Sequence, residues 1–231
     1  MNNNLVIAIG NTRIKAVIFG SDRQIIEEYA FTYDQLLILE AHLAEREFAN
    51  IVIASVVPEL LTSWHHLPQT KIIKTADVPL RGLYATMGCD RALAVYGAGE
   101  IYGYPVLVID AGTAITLTGI DANKALVGGA IVAGLRSQFL SLYENTAALP
   151  DVQIPETLPN RWGMDTASSI QAGIAHIFLS GLQAYIDDWR SQFPHSKVII
   201  TGGDGEHLMR WGLQVDIIDK DLIFWGISAL L

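Results

Sequence analysis

The chain has 231 residues, 51% of them apolar, with 24 Asp and Glu against 15 Lys and Arg and a formal net charge of −9. That length suits one large domain or two modest ones with a sizeable core, and the acidic balance argues against a nucleic-acid or anionic-membrane partner. One cysteine, Cys89, excludes an intrachain disulfide framework and a Cys-based zinc site; with no basic signal-peptide start and no apolar run of membrane-spanning length, a soluble cytoplasmic protein is expected.

In chain order, the apolar run 5–9 predicts a strand, and Gly10-Asn11-Thr12 after it is turn chemistry, because Gly and Asn tolerate positive φ. Residues 13–19 alternate, with Ile14, Ala16 and Ile18 on one face and Arg13, Lys15 and Val17 on the other. Gly20-Ser21-Asp22 turns the chain into a third strand at 25–31, which makes an antiparallel meander. Helical spacing over 33–47 points Leu36, Leu37, Leu39 and Leu43 inward, with Phe48. A strand at 51–55, a short helix from Pro58 to Trp64 and a strand at 71–74 follow. Three strands, helix, strand, helix, strand is the order of a ribonuclease-H-like domain.

Residues 75–86 connect to a helix at 90–102, and a second domain opens at Pro105. It offers strands at 106–110, 113–120 and 125–131, a helix at 135–145 and a proline-punctuated loop at 150–159. A long helix at 166–191, a strand at 197–201, a helical turn at 205–211, a strand at 215–218 and a closing helix at 221–230 complete it. Leu5-Val6-Ile7-Ala8-Ile9-Gly10-Asn11 lies over Leu107-Val108-Ile109-Asp110-Ala111-Gly112-Thr113, both running strand, glycine turn, polar residue, strand. Either turn alone is chance recurrence; the matching order of elements afterwards favours duplication. The expected architecture is α/β, with two ribonuclease-H-like domains, 1–104 and 105–231, facing across a cleft.

Four turns carry residues that chemistry can use. Gly10-Asn11-Thr12-Arg13 is either a plain hairpin or a phosphate turn with Arg13 and Lys15 balancing charge; a solvated strand face explains those two cations equally well. Asp110 ends a buried strand, where an unpaired carboxylate is costly, so it calls for a cation or several donors. The small-residue turn behind it lets backbone amides approach a polyphosphate, and Thr113 adds a hydroxyl. A carboxylate accepting its own turn's amides is the plainer alternative, and a cation or phosphate site is preferred. Gly88-Cys89-Asp90-Arg91 precedes a helix, so by spacing alone Asp90 is an N-cap. Read chemically, Asp90 is a general base for phosphoryl transfer and Arg91 a fork for a substrate carboxylate. Thr201-Gly202-Gly203-Asp204-Gly205 is either an ordinary strand-to-helix connection or a flat platform for a nucleobase or ribose. The small-residue stretch 128–134 is either close packing or a substrate-facing floor. The histidines (42, 65, 66, 176, 195 and 207) show no metal-ligand spacing and read as structural or surface groups, and Trp211 and Trp225 as core.

Taken in order, these turns resemble the type III pantothenate kinases of the acetate and sugar kinase/Hsp70/actin superfamily. The matching residues are Gly10-Asn11-Thr12, Tyr84, Gly88-Cys89-Asp90-Arg91, Asp110-Ala111-Gly112-Thr113-Ala114-Ile115-Thr116, Gly128-Gly129-Ala130-Ile131, Leu149-Pro150, Asp165-Thr166 with Ser169-Ile170-Gln171-Ala172-Gly173, and Thr201-Gly202-Gly203. They span nearly the whole chain, and their order and spacing carry the resemblance together.

The resemblance implies an actin-like ATPase fold with ATP in the cleft, and phosphorylation of pantothenate to 4'-phosphopantothenate, the first step towards coenzyme A. On it, Asp90 accepts the proton of the pantothenate hydroxyl, and Tyr84, Gly88, Cys89, Asp90, Arg91 and Thr166 form the pantothenate pocket. Gly10, Asn11, Thr12, Arg13, Ile14, Lys15 and Thr113 contact the ATP phosphates. Asp110 ligates a monovalent cation, K⁺ or NH₄⁺, while Mg²⁺ or another divalent cation accompanies ATP. A homodimer is expected, with the pantothenate site near the subunit interface. One departure matters: the family's Asp-x-Gly-Asn-Thr has Ala8 here in place of Asp. Either Asp110 and phosphate oxygens hold the metal through water, or activity is low, or the fold persists without catalysis. Val132-Ala133-Gly134, where the family has a proline before the glycine, is a milder departure. An active kinase is expected; a non-catalytic regulatory homologue and a kinase for another small acceptor are the alternatives.

Overall fold

A computed structural model describes residues 3–10, 12–35, 38, 41, 43, 46–57, 59–60 and 70–231. Asn11, Leu36, Leu37, Leu39, His42, Pro58, Trp64, His65 and His66, singled out above, lie outside the described residues, as does most of the expected helix 58–64. Of the expected helix 33–47, a 3-10 turn at Tyr33–Gln35 and helical positions at Ile38, Ala41 and Leu43 are described. The chain forms two compact units, one of Met1–Ile101 with Asp221–Leu231, the other of Tyr102–Lys220.

The first unit is built on strands β1 (Asn4–Ile9), β2 (Ile14–Phe19), β3 (Ile25–Phe31), β4 (Asn50–Ser55) and β5 (Thr70–Ile73). Their order is β3-β2-β1-β4-β5, with β1 antiparallel to β2 and parallel to β4. Alternation decides the faces. Leu5, Ile7 and Ile9 join Ile14, Ala16 and Ile18 in one buried cluster with Leu43, Ile51 and Ile53. On the other face Val6, Val17 and Phe19 are also buried, and the Trp225 ring meets Phe19 edge-on with centroids 5.9 Å apart.

Helix α1 (Cys89–Tyr102) is rich in Ala and Gly and buried over most of its length, as a helix apolar on all sides should be. The sequence pattern ran the second domain to residue 231, but the closing helix packs in the first unit. There it meets α1 backbone to backbone. A Cβ at Gly97 would lie 2.2 Å from the Leu222 carbonyl oxygen, and one at Gly226 2.2 Å from that of Leu93. Two glycines facing each other permit a crossing that any side chain would force apart.

The second unit contains β6 (Val106–Ala111), β7 (Ala114–Ile120), β8 (Leu126–Ala133), β9 (Lys197–Thr201) and β10 (Ile217–Ile218), in the order β10-β9-β6-β7-β8. Read from β8, that is the strand order of the first sheet, so the duplication seen in the sequence extends to topology. Around the sheet run α2 (Leu135–Glu144), the 27-residue α3 (Thr166–Gln192) and α4 (Gly205–Arg210); the chain closes with α5 (Leu222–Ser228) in the first unit. Asp165 caps α3 by accepting the Ser168 amide, with Ser168 reaching back to the Asp165 amide. The core gathers Ile109, Ile115, Leu117, Ile186, Trp189, Ile200 and Trp211. The proline-punctuated loop is tied down by three ring nitrogens: His207 Nε2 and Trp211 Nε1 bond the Pro155 carbonyl at 2.6 and 3.1 Å, and His176 Nε2 bonds that of Pro159 at 2.8 Å. Gly128 and Gly129 lie exposed on the edge strand β8, which runs two residues beyond its expected end. No described helix is long and apolar enough to cross a membrane.

Candidate active site

In the second unit the parallel strands β6 and β9 end together, the usual place for a ligand in such sheets. Asp110, half-buried near the end of β6, stands in register with Thr116 on β7 and Thr201 on β9. Two glycine turns flank it. In the first, the Gly112 amide donates to the Ala114 carbonyl at 3.2 Å, and Thr113 is exposed. The Thr113 carbonyl accepts from the Gly134 amide at 2.9 Å and from Ser137 Oγ at 3.2 Å, so the start of α2 holds this turn. Ser137 carries no local signal and was not foreseen; its role depends on how α2 docks.

The second turn comes from the other end of the unit. Gly202 has φ 87°, and a Cβ there would lie 2.5 Å from the Ala111 carbonyl oxygen and 2.6 Å from Asp110 Oδ1. Glycine is needed both for the left-handed backbone and for the approach. The Asp204 amide then donates to the Ala111 carbonyl at 2.9 Å. Asp204 precedes α4, yet its carboxylate makes no capping bond. Burial raises its pKa above the usual carboxylate range, partly opposed by the charge of His207.

The first unit supplies the other glycine turn. The Gly10 amide donates to the Arg13 carbonyl at 3.0 Å, and the Tyr33 hydroxyl donates to the Gly10 carbonyl. Thr12, Arg13 and Lys15 are exposed, while the Ile14 side chain belongs to the core and leaves only its backbone to a ligand. Tyr33 is a second residue that sequence spacing did not signal.

The Gly88-Cys89-Asp90-Arg91 segment opens α1. Asp90 Oδ1 accepts the Arg91 amide at 2.8 Å, and a Cβ at Gly88 would meet that same oxygen at 2.4 Å. The carboxylate therefore folds back over a position where a side chain would displace it. Arg91 is 8% exposed, and its guanidinium donates to the Tyr84 hydroxyl at 2.8 Å. Tyr84 is 45% exposed, so a buried cation is presented through an accessible phenol. Cys89 turns the other way: Sγ bonds the Ile73 carbonyl at 3.5 Å, and burial pushes the thiol pKa up to about 12. Its side chain is neither nucleophile nor ligand. The structure thus brings Tyr84, Gly88, Asp90 and Arg91 together, while Thr166 begins α3 in the other unit.

Among the described residues no group of three or more His, Cys, Asp or Glu forms a metal cage. A single carboxylate, Asp110, suits a hard cation that arrives on a nucleotide, because Mg²⁺ keeps waters and phosphate oxygens and needs only one or two carboxylates.

The family model described as type III pantothenate kinase matches residues 4–188. A protein of Nostoc sp. strain PCC 7120 named type III pantothenate kinase is 41% identical, over 100% of this chain and 95% of its own. Among solved structures, a Campylobacter jejuni protein assigned to the Baf family of transcriptional activators aligns with a TM-score of 0.68 at 23% identity, covering 98% of this chain and 96% of that one. A ROK family glucokinase from Streptomyces griseus, in complex with glucose and AMPPNP, aligns with a TM-score of 0.52 at 14% identity, covering 99% of each chain. At these identities the two structures speak to the fold alone.

Proposed function

The chain belongs to the type III pantothenate kinase family, and from that premise we propose that it transfers the terminal phosphoryl group of ATP to pantothenate, giving 4'-phosphopantothenate for coenzyme A synthesis. The pantothenate hydroxyl oxygen bonds to the γ-phosphorus as the bond to the β–γ bridging oxygen breaks. Its proton passes to Asp90, and ADP leaves. There is little covalent work for the protein, so positioning and charge neutralisation supply most of the rate.

One observation carries this reading. A single turn holds a carboxylate fixed by the Arg91 amide beside a buried guanidinium fixed by Tyr84. A base and a carboxylate-binding fork on one rigid element suit an acceptor with a hydroxyl at one end and a carboxylate at the other. Gly88 and the Cys89 backbone shape that pocket, and Thr166, which begins α3, is a further pantothenate contact that the family resemblance implies. Gly10, Asn11, Thr12, Arg13, Ile14, Lys15 and Thr113 take the phosphates. Asp110 is the residue that holds a cation, a divalent ion with ATP or K⁺ or NH₄⁺ beside it; a bound cation neutralises charge that develops on the transferred group.

The protein works in the cytoplasm as a homodimer. Support for the dimer comes from an apolar groove of about 1190 Å³ in the second unit, lined by Ile131, Met164, Ile177 and Tyr185. Ile177 is 77% exposed and Ile131 63%. Exposed apolar surface of that kind marks an interface. Ala8 supports a second reading, a regulatory homologue without catalysis.

The test is pantothenate-dependent ADP release in the presence of K⁺ or NH₄⁺ and Mg²⁺. Release is expected, and Asp90→Asn abolishes it while nucleotide still binds. No release under these ions favours the regulatory reading; release with a sugar or acetate alone points to another acceptor. Near-normal turnover in Asp90→Asn removes Asp90 as the base.

A further inference from the structure

The two phosphate turns are repeats, yet their charges are exchanged. Ala8 occupies in β1 the place that Asp110 occupies in β6, two residues before the glycine of the turn. Ala8 stands opposite Lys15 on β2, and Asp110 opposite Thr116 on β7. Followed across the first sheet, the registers give the row Ala30, Lys15, Ala8, Ala54, Ile73. Across the second they give Ile131, Thr116, Asp110, Thr201. Each row has one charged group, cationic in the first unit and anionic in the second.

Directly opposite residues share a sheet face with Cβ atoms roughly 4.5–5.5 Å apart. A carboxylate at position 8 would therefore pair with Lys15 and share its charge. Alanine leaves the ammonium exposed, and Lys15 has no acidic partner among the described residues. The nearest acid on the same face of β3 is Glu28, opposite Val17, one pair further from the turn and itself exposed. Arg13, also exposed, adds a second positive charge at the turn. Among its described residues, then, the first turn has cations and no carboxylate with which to ligate a divalent ion.

We propose that the first turn binds the terminal phosphates of a nucleoside triphosphate directly on Lys15, with no divalent cation between them, and that protein ligation of cations is confined to Asp110. The proposal rests on the kinase reading of the site. A carboxylate at position 8 would repel the phosphates unless a metal bridged the two, so its absence uncouples this turn from the metal.

The experiment is calorimetric titration of the full chain with a non-hydrolysable ATP analogue, in excess Mg²⁺ and in EDTA. Asp110 ligates the ion that arrives with the nucleotide, so the first turn is read in an Asp110→Asn chain, whose affinity in EDTA is expected within about threefold of that in Mg²⁺, as for contacts that are direct. Lys15→Gln, at an exposed position that does not threaten the fold, weakens binding about tenfold or more in both buffers. Ala8→Asp added to Asp110→Asn binds as Asp110→Asn does in Mg²⁺ but loses about tenfold in EDTA, having acquired a metal requirement. An Asp110→Asn chain that loses tenfold or more in EDTA, or a Lys15→Gln chain that binds as its parent, overturns the proposal. Pantothenate-dependent ADP release by the wild-type chain separates it from the acceptor assignment. No release, with metal-independent analogue binding by Asp110→Asn, removes the acceptor and leaves Lys15 in place. Release, with strictly Mg²⁺-dependent binding by Asp110→Asn, does the reverse, and no analogue binding in either buffer removes both.

Discussion

At the scale of single residues, carboxylates in similar turns stand in different surroundings. Asp90 is held by one backbone amide over a bare glycine. Asp204 precedes a helix without capping it, and burial raises its pKa above the ordinary carboxylate range. A raised carboxyl pKa means that ionisation is less favourable in the folded chain than in the unfolded one. The stability linked to the protonated form is therefore present below the unfolded value and lost as pH rises through the folded value. Asp204→Asn, which cannot ionise, should melt at a higher temperature than wild type at neutral pH without nucleotide. The difference should vanish below the usual carboxylate range, and melting curves across that range check it. Asp110 was legible in the sequence as a carboxylate that ends a buried strand. The burial of Asp204 was not, because desolvation depends on what the rest of the unit lays over it.

At the scale of elements, the strands were the most legible part of the chain. Alternation, short apolar runs and glycine punctuation are local, and they placed all ten strands of the two sheets to within a few residues. The exceptions are instructive. The strand expected at 215–218 forms only at Ile217–Ile218, pairing with Ile199 and Ile200. Ladder length there depends on a neighbour distant in sequence. The closing helix was legible as a helix, but its apolar face does not say which sheet it covers. The Gly97 and Gly226 contacts decide that, and they make a testable claim. Gly97→Ala inserts a methyl group against the Leu222 carbonyl and the Gly226 backbone. It should cost about 1–3 kcal/mol, the range for overpacking a close-fitted site, read as a lower urea midpoint with an unchanged slope.

At the scale of the whole molecule, the repeat is the governing fact: one strand order, used twice, presents two glycine turns of opposite charge. The proposed homodimer belongs to this scale too. On α3, Gly173, Ile177, Gly181 and Tyr185 recur every four residues along the groove, so they form one stripe. Ile177→Glu should leave the fold intact, since the side chain is mostly exposed, and convert a dimer to a monomer by analytical ultracentrifugation; a monomeric wild type, or a dimeric variant, removes this groove as the interface. The order of elements, the turns, the acidic balance and the motifs that tie the chain to its kinase family were determined by the sequence itself, because each is set by residues a few bonds or turns apart. Only the tertiary structure decided that α5 returns to the first unit, that Cys89 points inward, that Gly202 presses on Asp110, and that Ala8 leaves Lys15 without an acid across the strand. Those depend on register and close approach between segments distant along the chain, and no local pattern records which segments will meet.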